Sequence, residues 1–183
     1  MSSAITRIGV AALAVMLLVP LPASATNGYF SHGVGLKAKG MGGVSIALPQ
    51  DALAAGTNPA GMVFIGDRLD VGVDLFRPDR SSEITGNMNP PLNMVYDANE
   101  EQNFLIPELG YCSMLGDNLA VGLSLYGNGG MNTSYSTPIG LFGNTNAGVD
   151  LAQMFLVPSI AMKITDDQAL GLGVNLVWQR FKA

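Results

Sequence analysis

The chain has 183 residues, 48% of them hydrophobic and 13% charged, with 23 glycines, 10 prolines and a net charge of −5. Globular proteins average about 25% charged residues and about 7% glycine, so this composition excludes a charge-rich disordered chain and a basic nucleic-acid binder. Glycine and proline at this level argue against a helical bundle, and one Cys with one His can build neither a disulfide framework nor a zinc site.

Residues 1–25 read as a secretory signal peptide. Arg7 supplies a short positive start, and Ile8 to Val19 forms an apolar run too short to cross a hydrocarbon core of about 30 Å as a helix. Pro20 and Pro22 then interrupt the run, and Ala23-Ser24-Ala25 is a small-residue cleavage site. Removal of this segment makes Thr26 the first mature residue, and the exported Cys112 reads as an inert apolar side chain. No later stretch approaches the roughly 20 apolar residues of a membrane-spanning helix. A mature chain that lives in lipid must therefore be a β-barrel, because only closed hydrogen bonding satisfies the backbone there.

Residues 26–66 do not alternate. They hold Gly28, Gly33, Gly35, Gly40, Gly42 and Gly43, then a helix-like run from Leu48 to Ala55 with Pro49 in its first turn and Gly56 as its stop. Asn58-Pro59-Ala60-Gly61 follows as a turn, with Asn58 expected to bond backbone and Pro59 to fix φ. A compact Gly-rich segment ahead of the first strand suits a plug, or hatch, packed against a barrel wall from inside. Gly33, Gly35 and Gly40 miss the G-x-G-x-x-G spacing, so no dinucleotide site is read here.

From Leu69 the pattern has period two. Leu69, Val71, Val73 and Leu75 alternate with Asp70, Gly72 and Asp74; Leu119 to Tyr126 and Leu170 to Gln179 repeat this, and Phe104–Leu115 and Leu151–Ile164 do so less regularly. In the last of these, Met154, Leu156, Ile160 and Met162 share a face. Pro107 and Pro158 mark expected bulges or kinks. Gly116-Asp117-Asn118 and the turn 165–168 are short, whereas 79–103 and 128–148 are long and polar. Short turns at one end and long loops at the other describe an outer-membrane barrel with extracellular loops. Trp178, Tyr111 and Phe104 are candidates for its aromatic girdles. Five strands fit in residues 67–183, and bacterial barrels start at eight, so the chain reads as the N-terminal part of a longer protein.

Several of these stretches resemble the FadL/TodX family of outer-membrane transporters. The resemblance lies in Thr26–Ala38, Gly40-Met41-Gly42-Gly43-Val44-Ser45-Ile46-Ala47, Asp51-Ala52 and Asn58-Pro59-Ala60-Gly61-Met62, and continues through the Gly116-Asp117-Asn118 turn to Asp166–Arg180. It implies an all-β, transmembrane antiparallel barrel of about fourteen strands when complete, plugged by the hatch. It further implies passive movement of long-chain fatty acids or aromatic hydrocarbons, with lateral exit at a kinked third strand. Tyr126, Gly127, Gly129 and Gly130 stand where that gap would lie.

Candidate pocket residues are Tyr29, Phe30, Met41, Met62, Phe64 and Phe155, and packing inside the barrel is an equal reading for them. An anionic headgroup would need a cation, and Lys37, Lys39, Arg68 and His32 are the candidates. Asn58, Pro59 and Ala60 form the hatch motif. No cofactor, metal or nucleic acid is expected; the partners are a hydrophobic small molecule and outer-membrane lipid, with a monomeric barrel when complete. A general porin and, less favoured, a barrel-borne lipid hydrolase are the alternatives. The first would carry no Gly-rich hatch, and the second needs a triad that a single His in the hatch does not supply.

Overall fold

A computed structural model of the chain describes residues 28–138, 140 and 147–183. The expected signal peptide and part of the second long loop lie outside the described residues. The main sheet contains β1 (Arg68–Phe76), β4 (Phe104–Met114), β5 (Leu119–Ser134), β6 (Gly148–Lys163), β7 (Ala169–Gly173) and β8 (Leu176–Lys182). It runs β1-β4-β5-β6-β7, with β8 also on β6, and every pair is antiparallel. Two short strands, β2 (Ser81–Glu83) and β3 (Val95–Asp97), form a separate hairpin. The helices are short: α1 (Leu36–Gly40), α2 (Ala54–Thr57) and α3 (Met62–Ile65), with a 3-10 turn at Pro59–Gly61. No helix among the described residues is long and apolar enough to cross a membrane.

The period-two pattern becomes a separation of faces. Leu69, Val71, Val73 and Leu75 pair with Tyr111, Leu109, Pro107 and Leu105, and the register carries this face on through Leu123, Leu156, Ile160 and Leu172. Val71 is 74% exposed and Leu105 71%. The opposite face is buried at Cys112, Ala120, Ser124, Val157 and Ala161, beneath Ala52, Leu53, Ala55 and Met62. An apolar face open to the surroundings and a small-residue face turned to the core reverse the order expected of a water-soluble sheet.

Small wall residues let the N-terminal segment approach with its backbone. A Cβ at Gly110 would stand 2.6 Å from the Ala52 carbonyl carbon, and one at Gly171 would overlap the backbone joining Pro59 to Ala60. Ser124 and Ser159 donate their hydroxyls to the Ala52 and Ala55 carbonyls at 3.3 and 2.6 Å. These bonds satisfy polar groups on a face closed to water.

Some expectations are altered. The helix-like run at 48–55 is helical only from Ala54, and it passes through Gly56 to Thr57. Gly56 is needed for contact, since its Cβ would meet the Tyr126 ring at 2.7 Å. The third barrel strand continues through the Gly-rich stretch to Ser134, and residues 79–103 contain the β2–β3 hairpin. Neither proline shifts the register. Pro158 instead divides the last strand into β7 and β8: Val174 donates to its carbonyl at 3.1 Å, but proline has no N–H to return the bond. The bulge lies at Gly127–Gly130. Phe104 lies under the Arg80 guanidinium, 5.8 Å from its ring centre, and beside Phe76, so it packs within the fold.

Candidate functional site

The wall changes character at Tyr126. The β4–β5 ladder ends at Glu108↔Tyr126, yet β4 begins at Phe104 and β5 reaches Ser134. Over that stretch Phe104, Leu105, Ile106 and Pro107 keep their partners on β1, and β5 beyond the bulge keeps its partners on β6. Pairing is interrupted on one side of each strand only. The bulge sets two β6 steps, Met154 to Ala152, against three on β5, Gly127 to Gly130. Gly129 takes φ 92° there, a left-handed conformation that glycine adopts without strain.

The edge so exposed on β5 is met by the N-terminal segment. Gly130 donates its N–H to the Tyr29 carbonyl at 3.0 Å. Ser31 donates to Asn128 Oδ1 through its N–H at 3.1 Å and its hydroxyl at 2.9 Å. Tyr29 and Phe30 face each other at 4.7 Å between ring centres, and both are about two-fifths exposed. Phe155 stacks on Tyr126 at 5.3 Å with a 2° interplanar angle, and Leu53, Val157 and Val34 complete that cluster. Thus Tyr29, Phe30, Tyr126, Phe155, Gly127, Gly129 and Gly130 come together around the bulge.

The other named residues fall elsewhere. Met62 is fully buried, its carbonyl accepting from Cys112 Sγ at 3.6 Å, which makes it core. Met41 is half exposed. Phe64 lines a separate open groove with Asn58, Ala60, Asp167 and Gln168. Asn58 donates Nδ2 to the Ile46 carbonyl at 2.8 Å, and its own carbonyl accepts from Gly61 at 2.9 Å. Together these fix the turn that lies on β7.

The cations are already partnered. Lys39 Nζ is 2.8 Å from Asp74 Oδ2, and Lys37 Nζ is 3.8 Å from Asp70 Oδ1. Arg68 grips the same Asp70 with both Nε and Nη2, at 2.6 and 2.7 Å. Asp70 also accepts the Ala52 N–H at 2.9 Å, and Glu108 accepts the Leu36 N–H at 3.0 Å. Inward carboxylates of β1 and β4 therefore hold the N-terminal segment at several points, which the alternation alone does not show. His32 is exposed.

Asn128 and Arg80 were not singled out from sequence. Asn128 stood among glycines in a presumed loop, and Arg80 in another; neither position belongs to a period that marks it.

Two comparisons bear on identity. No curated protein matches the chain. The family model described as outer membrane protein transport protein (OMPP1/FadL/TodX) matches residues 26–182, the span that holds both the strands and the segment packed on them. With its exposed apolar face, antiparallel wall and this match, the chain belongs to that outer-membrane transport protein family of Gram-negative bacteria.

Proposed function

We propose that this protein is a passive transporter of hydrophobic compounds such as long-chain fatty acids or aromatic hydrocarbons, with residues 26–66 as its hatch and a lateral exit between β4 and β5. The observation that carries this reading is the end of the β4–β5 ladder at Tyr126 while both strands run on. Unpaired backbone facing lipid costs several kcal/mol per group, so an interruption kept in such a wall calls for a use. A gap there lets an apolar solute pass from the lumen into the bilayer without crossing the polar outer leaflet. The Tyr29–Ser31 contacts with Asn128 and Gly130 support this reading, in which displacement of the hatch opens the gap.

The ion pairs bear on substrate. A carboxylate headgroup reaching Lys37, Lys39 or Arg68 must displace Asp70 or Asp74, whereas a hydrocarbon needs no exchange of partners. The complete protein acts as a monomeric barrel, with no catalytic step and no cofactor.

The test staples the gap. A Cβ built at Gly127 lies 3.8 Å from Ile106 Cβ, near the mean spacing of about 3.8 Å in disulfides. In the full-length protein, Ile106→Cys with Gly127→Cys should block uptake of oleate and of a monoaromatic hydrocarbon when oxidised, and restore it on reduction. Undiminished uptake with the disulfide fully formed would overturn the lateral exit.

A further inference from the structure

Beyond the bulge, the free edge of β5 is taken up a second time, by a segment of the loop between β1 and β4. Asn99 and Ser134 form a parallel bridge, with Glu100 N–H donating to the Ser134 carbonyl at 3.2 Å and Ser134 N–H to the Ala98 carbonyl at 3.3 Å. Two bonds of that length are at the weak end of backbone geometry. The ordering of a loop needs more, because each fixed residue costs about 1–2 kcal/mol of backbone entropy.

Arg80 supplies what the backbone does not. Its Nη1 donates to both the carbonyl and Oδ1 of Asn132 on β5, the latter at 2.8 Å, and its Nη2 donates to the Glu101 carbonyl in the loop. Its backbone N–H bonds Asn99 Oδ1 at 2.8 Å, and its carbonyl accepts from Ala98 at 3.1 Å. The guanidinium sits over Phe104 at the start of β4, with Nε buried. One side chain thus touches the loop, β4 and the far part of β5, across the stretch where β4 and β5 do not pair. Neighbouring contacts point the same way: Ser134 Oγ donates to Glu100 at 2.7 Å, and Tyr135 donates to Ser82 at 3.2 Å.

We propose that Arg80 is the positioning residue that holds residues 98–101 as a surrogate strand on β5 and so sets the far border of the wall gap. Charge-assisted bonds are roughly twice as strong as neutral ones, and only a planar fork reaches Asn132 and Glu101 together while stacking on an aromatic ring. Lysine at this position keeps the charge and loses the bridge. The consequence for transport rests on the gap being the exit; the hold itself does not.

Hydrogen exchange on the full-length protein tests both separately. In Arg80→Gln, amides of 98–101 and 130–134 should exchange faster, on the order of tenfold or more, with β1 and the 154–162 part of β6 unchanged. Arg80→Lys should fall between the two. If Arg80→Gln does not reach the outer membrane, Asn132→Ala removes the side-chain acceptor and the Asn132–Glu101 bond while the carbonyl stays, and exchange over the same amides should rise by a smaller factor. Unchanged exchange in the variant that assembles overturns the proposal, even where the 106–127 disulfide blocks uptake. Faster local exchange with altered oleate uptake supports the hold and the border together. Faster exchange with unaltered uptake overturns the border role and leaves the exit to be judged by the disulfide.

Discussion

At the scale of single residues, the missing side chain of Gly171 matters more than any charged group nearby. Its position is filled by the Pro59–Ala60 backbone, so the Asn58 turn rests on the wall with no space between them. Overpacking a tight contact costs about 1–3 kcal/mol, and backbone yields less readily than a flexible side chain. Gly171→Val should therefore lower the unfolding midpoint in detergent and speed exchange across 58–61, while Gly40→Val, with open space around it, should have a smaller effect on both. The sequence showed Asn58, Pro59 and Gly171 as separate features. Their contact spans more than a hundred positions and follows no local period. Lys37 and Lys39 illustrate the same limit, since pairing with Asp70 and Asp74 depends on which wall face meets which helix, whereas Arg68 meets Asp70 two positions along one face of β1.

At the scale of elements, the strands were legible because one face of each is apolar and the other small or polar. All five expected segments are strands, four as single strands and the last as β7 and β8. What misled was the meaning given to glycine and proline. Pro158 reads from sequence as a bulge or local kink; the pairing of β6 with β7 and β8 passes it in one register, with no bulge. Pro158→Ala returns an N–H opposite Val174 and should slow exchange across 173–176 without altering assembly, measured by mass spectrometry of the folded protein. The glycines at 127–130 mark an expected kink of the third strand, and the sequence reads as loop from 128 onward. Pairing with β6 past Gly130 extends β5 instead, because a bulge absorbs the extra residue. The β2–β3 hairpin gave no signal, as three-residue strands are too short for an alternation to register.

At the scale of the whole molecule, the exposed apolar face is where lipid lies in the outer membrane. Val71, central in β1 and 74% exposed, belongs to that face. A charge at the midplane of a barrel wall costs about 2–4 kcal/mol. Val71→Arg should lower the unfolding free energy of the full-length protein in bilayers by that order, whereas Val71→Leu, apolar at the same position, should cost little. Equal losses would mean that this face does not meet lipid.

Sequence by itself determined the compartment-level reading, the strand positions and the two-faced wall. Each of these rests on local composition or on a period of two, which the backbone imposes on every strand. Tertiary structure alone decided where the β4–β5 ladder stops, which segment covers the edge left open, and which carboxylates hold Lys37 and Lys39. Those contacts join residues far apart in the chain, such as Tyr29 with Gly130 and Arg80 with Asn132. They follow from register and bulge geometry, and a shift of one residue would turn every side chain to the other face.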